Sequence, residues 1–392
     1  MRLFLTALLV LGLSGCAAVD AVKDLTNSFF GGEDNSDPPN ELVEYKPEVV
    51  IEKLWRETVG DGADEKFLKL VPAIADETVF AADSAGLVEA FELNGGRQVW
   101  EAETEEAFSG GPGVNSGTII LGTRDAAVIA LNPANGDRLW RATVSSEVLA
   151  IPVLAEALVV VRTTDGRIIA LNAADGSTAW AYELSVPALS IRGSGAPLVI
   201  EEKVIAGFAN GKLVALRLAD GKHLWETSIA IPGGRSEIER LVDLDVDPVA
   251  NDGVIFIASY QGGASAVLVP NGEVIWRNPD ISSYTGMSYD TRYLYISDNA
   301  GDVWQVDQRN GAALWKQSDL HQRKLSAPLV YDEFVVVGDF EGYLHWLSKT
   351  DGRQLGRLKI ADAAITAQPI AHDDVIYVYA QDGTLAALKA RF

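Results

Sequence analysis

Cysteine occurs once in the 392 residues, at Cys16. No intramolecular disulfide framework and no thiolate metal cluster can be built from a single thiol. Four histidines leave little material for imidazole metal centres or acid–base pairs. Basic side chains are scarce as well: 32 Lys and Arg stand against 55 Asp and Glu, a formal net charge of −23. Binding a duplex requires a basic footprint that displaces condensed counterions, so nucleic acid is excluded as a partner. An anionic membrane surface would also repel such a chain. Helical i, i+3, i+4 apolar stripes are missing throughout. What the chain does have is apolar material, 48% of its residues. A single core stops growing near ~250–300 residues, which leaves two domains or a repeat architecture.

The N-terminus carries one positive charge, Arg2, then Leu3-Phe4-Leu5-Thr6-Ala7-Leu8-Leu9-Val10-Leu11 without another. A bilayer-spanning helix needs ~20 apolar residues, so this run fits the apolar region of a secretory signal peptide instead. It closes on Leu13-Ser14-Gly15-Cys16, small residues directly before the lone cysteine. That ending resembles the bacterial lipobox, which implies a signal peptide over residues 1–15 and acylation of Cys16. By the same resemblance, Ala17 in place of Asp implies sorting to the outer membrane, facing the periplasm. Residues 16–48 read as a lipidated N-terminus and tether, because Gly31-Gly32-Glu33-Asp34-Asn35-Ser36-Asp37-Pro38-Pro39-Asn40 offers almost nothing to bury.

Residues 49–392 repeat. With Gly86, Ala126, Gly166, Gly211, Gly262, Gly301, Gly342 and Gly383 as origins, Trp100, Trp140, Trp180, Trp225, Trp276 and Trp315 stand fourteen residues later, followed by Gly356. Ten residues after the origins stand Gly96, Gly136, Gly176, Gly221, Gly272, Gly311 and Gly352. Four residues after them comes alanine, except Gln305 and Trp346; fourteen before them comes proline, except Met287. Each unit alternates β-branched runs with turn residues, as in Ala157–Val161, Thr164-Asp165-Gly166 and Arg167–Leu171. Short strands recurring with a period of ~40–50 residues define an all-β propeller with four-stranded blades. Eight origins predict eight blades. The last unit ends at Phe392 before its tryptophan strand, while Trp55 belongs to no preceding unit. An N-terminal strand, Ile51–Trp55, is therefore predicted to close the ring and remove an open sheet edge. The tryptophans are predicted to pack between blades, as structural residues.

Chemistry is sparse. The glycine–tryptophan pattern resembles the tryptophan-docked propellers of the quinoprotein dehydrogenases, whose site uses adjacent cysteines; this chain has none after Cys16. Asp243-Leu244-Asp245-Val246-Asp247 places three carboxylates on one face of an extended chain, but Pro248 and Val254 stand where an EF-hand loop needs Gly and Glu. Ser109-Gly110-Gly111-Pro112-Gly113 lacks the Lys-Ser/Thr of a phosphate loop. His223, His321, His345 and His372 show no ligand spacing. No catalytic residue, cofactor or metal is expected, and the chain reads as a non-enzyme.

Insertions direct attention elsewhere. The spacing from tryptophan to the next origin is 26 residues after Trp100 and Trp140, but 31 after Trp180 and 37 after Trp225. Insertions of this kind mark the binding face of a repeat protein. Arg192 and Asp243 both lie nineteen residues before their origins, hence at equivalent points on adjacent blades. Exposed aliphatics beside an arginine and paired carboxylates suit a protein interface. Equally, Arg192 and Asp243 could bridge two blades, and both readings stand.

Leu189-Ser190-Ile191-Arg192-Gly193, Leu241-Val242-Asp243-Leu244-Asp245, Gln317-Ser318-Asp319-Leu320 and, most distinctively, Val336-Val337-Gly338-Asp339-Phe340-Glu341-Gly342-Tyr343-Leu344-His345-Trp346 resemble the BamB family. These are propeller lipoproteins of the outer-membrane β-barrel assembly machinery. The resemblance implies a non-catalytic scaffold that binds the POTRA domains of the barrel-inserting subunit (BamA-like). It also implies partner contacts at Leu189, Ile191, Arg192, Asp243 and Asp245. Nascent β-barrel proteins remain open as further clients. A propeller that binds a small molecule or polysaccharide in its central channel is the alternative function.

Overall fold

Short β-branched runs that alternate faces cannot stand alone, and here they assemble into eight antiparallel sheets arranged around one axis. The computed structural model describes residues 37–392 other than 65, 186, 188, 191–194, 234 and 237. The first blade runs Ala73–Ala75, Thr78–Ala82, Leu87–Glu92 and Gln98–Glu103 in simple up-and-down order. In the first blade the middle strands are buried and the fourth is the exposed outer edge, a pattern from which the fourth strand of the seventh blade, Gln354–Lys359, departs by being largely buried. First strands of neighbouring blades touch one another and so surround the axis. The antiparallel order places the turns between second and third strands on one face of the disc. The connections from a fourth strand to the next blade lie on that same face.

Closure occurs as the truncated last unit predicts. Val50–Thr58 pairs antiparallel with Thr384–Arg391 and forms the outer strand of the eighth blade, with Trp55 opposite Ala387. The second blade is larger than predicted. Lys69–Leu70 pairs parallel with Gly110–Gly111 and adds a fifth strand at its inner edge. A two-residue strand leaves no periodic trace in the sequence, which is why it was not expected.

The repeat columns have one physical cause. Each docked tryptophan lays its indole on the glycine ten residues past the origin of the next blade. A Cβ built on Gly96 would sit 2.7 Å from the ring of Trp55, and the other six such glycines are as tight, at 2.5–2.9 Å. Each of these glycines also adopts a positive φ, between 68° and 75°, which other residues reach only with strain. The indole N–H then donates to a backbone carbonyl of that blade: Trp55 Nε1 to Leu93 O at 2.9 Å, Trp180 Nε1 to Leu218 O at 2.7 Å, and five more alike. Burying an indole removes ~150–250 Å² from water, an upper bound of about 4–6 kcal/mol per joint. The residue before each tryptophan is the extra residue of a β-bulge, a device that discourages edge-to-edge pairing.

Residues 40–49, the end of the expected tether, lie along the seventh blade. Asn40 N–H donates to His321 O at 3.0 Å, Arg357 to Val43 O at 2.8 Å, and Glu48 N–H to Leu355 O at 2.8 Å. Leu355 is consequently 1% exposed, whereas Leu139, at the equivalent bulge of the second blade, is 49% exposed.

Candidate docking face

The two insertions meet near the axis. Arg162, at the end of a strand in the third blade, donates to Gly195 O at 3.0 Å and Leu244 O at 3.4 Å, and approaches Asp245 at 3.5 Å. Asp247 accepts the Ala196 N–H at 2.6 Å and pairs with Lys69. Gly195 and Ala196 belong to the connection into the fourth blade, Leu244, Asp245 and Asp247 to the connection into the fifth. Equal phase in the sequence therefore becomes direct contact. Lys69 sits on the inner edge of the second blade and Asp247 at the entry to the fifth, so their ion pair ties together two blades that are not neighbours.

Burial separates the predicted site residues. Asp243 and Asp245 are 1% and 5% exposed, so neither carboxylate is displayed on the surface. Burial pushes the Asp245 carboxyl above its ordinary range, against the opposing pull of Arg162 and Lys69. Asp245 faces Arg162 from another blade at 3.5 Å beneath the connection. Leu189 is exposed. Ile191, Arg192 and Cys16 lie outside the described residues.

Sequence reasoning missed most of the apolar surface. Phe67, Ile231 and Ile238 are 92%, 81% and 65% exposed, and Tyr284 stands half-exposed against Tyr260. Together with Leu189, all belong to connections from one blade to the next, hence to one face. Position was the available signal: each lies between a tryptophan and the following strand. Water-exposed aliphatic and aromatic groups gathered on one face suit a protein partner. The remaining exposed large hydrophobics fall mostly on the outer strands, scattered singly around the rim as at Val99, Leu139, Leu224, Ile275 and Leu314.

Among the described residues, no group of three or more His, Cys, Asp or Glu is arranged to hold a metal. One carboxylate cluster does stand out at the ring closure. Glu89 lies opposite Glu101 in the first blade, with Asp83 and Glu57 nearby. Its Oε1 accepts from Gln98 at 2.7 Å, while Oε2 is buried without a hydrogen-bond partner. Burial first, then the Glu101 and Asp83 charges, raise its pKa to about 7.

Fold and face together define a tryptophan-docked, eight-bladed propeller with exposed apolar residues gathered on one face. A family model described as "Outer membrane protein assembly factor BamB" matches residues 84–317 and 306–391. The BamB of Pseudomonas aeruginosa is 43% identical over 354 residues, covering 90% of this chain and 93% of that protein. The Escherichia coli K12 protein of the same description is 33% identical over 386 residues, covering 96% and 95%. The crystal structure of BamB from Moraxella catarrhalis superposes with a TM-score of 0.78 at 26% identity, covering 87% of this chain and 100% of that one. This chain belongs to the BamB family of outer membrane protein assembly factors. A europium-containing methanol dehydrogenase shares the fold alone, at 12% identity and a TM-score of 0.73. The relatives that match over nine-tenths of the chain are assembly factors, not enzymes.

Proposed function

We propose that this chain is a non-catalytic scaffold subunit of the outer-membrane protein assembly machinery, held at the periplasmic face of the outer membrane by acylation of Cys16. Its partner is the barrel-inserting subunit, whose POTRA domains dock on the face formed by the inter-blade connections, and the scaffold thereby assists folding and insertion of β-barrel proteins. One observation carries this reading: the connections into the fourth and fifth blades are tied together beneath, by Arg162, Asp245 and Asp247, while Leu189, Ile231 and Ile238 stand exposed above. A preformed apolar surface on a braced base is what a standing protein interface needs. Leu189, Ile191 and Arg192 are the contacts in this proposal. Asp243 and Asp245 act as buried supports of the same loops.

Co-purification with the barrel-inserting subunit tests the proposal. Leu189→Glu should abolish it without shifting the melting temperature, and intact co-purification would remove Leu189 from the interface. Cys16→Ala behind a conventional signal peptide should release a soluble periplasmic protein, and a variant that still required detergent would refute the anchor. A small-molecule site in the central channel would have to accommodate the Lys69–Asp247 pair that links the second and fifth blades.

A further inference from the structure

The family-like segment Gly338–Trp346 contributes none of the exposed apolar residues of the candidate docking face, yet it holds densely bonded buried charges that meet Arg323. Arg323 is 3% exposed and Asp339 and His345 are fully buried. Asp339 Oδ2 accepts from Arg323 Nε at 2.9 Å and from His345 Nε2 at 2.9 Å, while its Oδ1 accepts the backbone N–H groups of Glu341 and Tyr343 at 2.9 and 3.0 Å. Glu341 also pairs with Arg323, and the guanidinium lies 5.0 Å above the Phe340 ring. Every group here serves to fix one arginine. Burial alone would raise the Asp339 carboxyl, but the bonds from His345 and Arg323 keep it below the ordinary range and therefore charged.

One face of that arginine is left over. Arg323 Nη1 donates at 3.0 Å to the backbone carbonyl of Asn40. The same residue is gripped twice more, its N–H by His321 O at 3.0 Å and its side-chain amide by Ser318 O at 3.0 Å. Behind it, Leu42 packs on the cluster of Tyr295, Leu320 and Leu325, the Arg357 guanidinium stands 5.4 Å over Tyr45, and Arg353 holds Glu48 at 2.8 Å. Three positioned polar contacts on one residue, then apolar and cation–π contacts along the next nine, describe a receptor for an extended peptide.

We infer that Arg323, braced by Asp339, Glu341 and Phe340, is a binding site for the chain's own N-terminal strap, residues 40–49. The site fixes where that strap joins the ring. His321 and Ser318 belong to the connection into the seventh blade, so the strap joins at the same face as Leu189, Ile231 and Ile238. If the proposed docking face holds, Asn40 and the partner lie on one face of the propeller. That last step rests on the proposed function; the clasp itself does not.

Amide hydrogen exchange on the full-length protein tests the clasp. Arg323→Lys keeps the charge but loses the planar fork, and should speed exchange across residues 40–48 by about tenfold or more. Because Arg323 is buried, that variant could also loosen the blade, so Asn40→Pro serves as the second test. It removes the N–H given to His321 and the amide given to Ser318 while leaving the socket whole. Faster exchange over residues 41–48 in Asn40→Pro, with Val335–Val337 still protected, would establish the clasp. Unchanged exchange in both variants would overturn it. Exchange that rises equally in the strap and in Val335–Val337 would also overturn it, by making the strap a passive reporter of blade stability. Co-purification of Asn40→Pro with the barrel-inserting subunit is read separately, so loss of the docking face and loss of the clasp cannot be confused.

Discussion

Trp346 stands directly opposite Gly356 in the seventh blade, reversing the alanine–tryptophan pairing that the fourth and eighth blades place at the same two positions. The reversal has a cause. The eighth blade ends at Phe392 and supplies no glycine for a docked indole, and its outer strand comes from the N-terminus. Val49 fills the vacated space, with its Cγ2 only 2.6 Å from where a Gly356 Cβ would sit. Trp346 instead turns inward, fully buried, with its Nε1 lacking a hydrogen-bond partner. Gly356→Trp should therefore not restore a normal joint. It should expel Val49, expose Leu355 and lower stability, measured as a lower denaturation midpoint with faster exchange at Glu48.

The opposite substitution at a normal joint should be costly for a different reason. Gly96→Ala places a methyl within 2.7 Å of the Trp55 ring at a φ of 68°. Strain and lost packing should cost about 2–4 kcal/mol, and Trp55→Ala about 3–5 kcal/mol. Equilibrium unfolding of the two variants checks both figures.

Glu89 should make stability fall as the pH rises from acid to neutral. Its pKa is raised in the folded chain to about 7, so the folded state holds this proton more tightly than the unfolded state does. Stability from this group is complete below the unfolded value near 4.5, declines between 4.5 and 7, and is absent above. Glu89→Gln should flatten that slope and stabilise the protein at pH 8 by up to about 3 kcal/mol. Melting curves at pH 5 and pH 8 decide it: an equal shift at both would disprove the assignment.

Partner contacts and loop supports should separate in the laboratory. Ile238→Glu alters an exposed side chain and should weaken co-purification at unchanged melting temperature. Asp245→Ala leaves Arg162 buried without its carboxylate and should cost about 3–5 kcal/mol in stability as well as binding. Identical behaviour of the two variants would show that the division between surface and support is false.

Truncation maps the strap. Removing residues 17–38 should leave the melting temperature unchanged. Removing residues 17–49 uncovers Leu355 and should lower it moderately. Removal through Thr58 takes away the closing strand and should produce aggregation, detected by size-exclusion chromatography.

The ring was legible because each joint repeats: six tryptophans and seven glycines at fixed spacing can be counted without a structure. Closure by Trp55 was legible for the same reason, as a surplus at one end matched a deficit at the other. The docking face was only half legible. Insertion length and phase pointed to the connections around Arg192 and Asp243, and the family resemblance to Leu189 and Asp245 within them, but periodicity carries no sign of burial in irregular connections. Asp245 and Ile238 look alike as loop residues until Arg162 arrives from another blade to cover one of them. Phe67 and Lys69 escaped because the connection that carries them precedes the first complete unit. The Arg323 clasp joins residues 283 positions apart, a separation no local pattern reports.

The pairing of Trp55 with Ala387 also sets the order in which the molecule can form. One partner is among the first parts of the propeller to be synthesised, the other among the last. Until the final strand arrives, the opening strand has no sheet to join, and the eighth blade cannot exist. Contacts this distant in sequence form slowly, and unpaired edges are exposed while they wait. A chain cut short by even its last dozen residues would lose the strand that receives Trp55, so only a completed polypeptide can become a sealed ring.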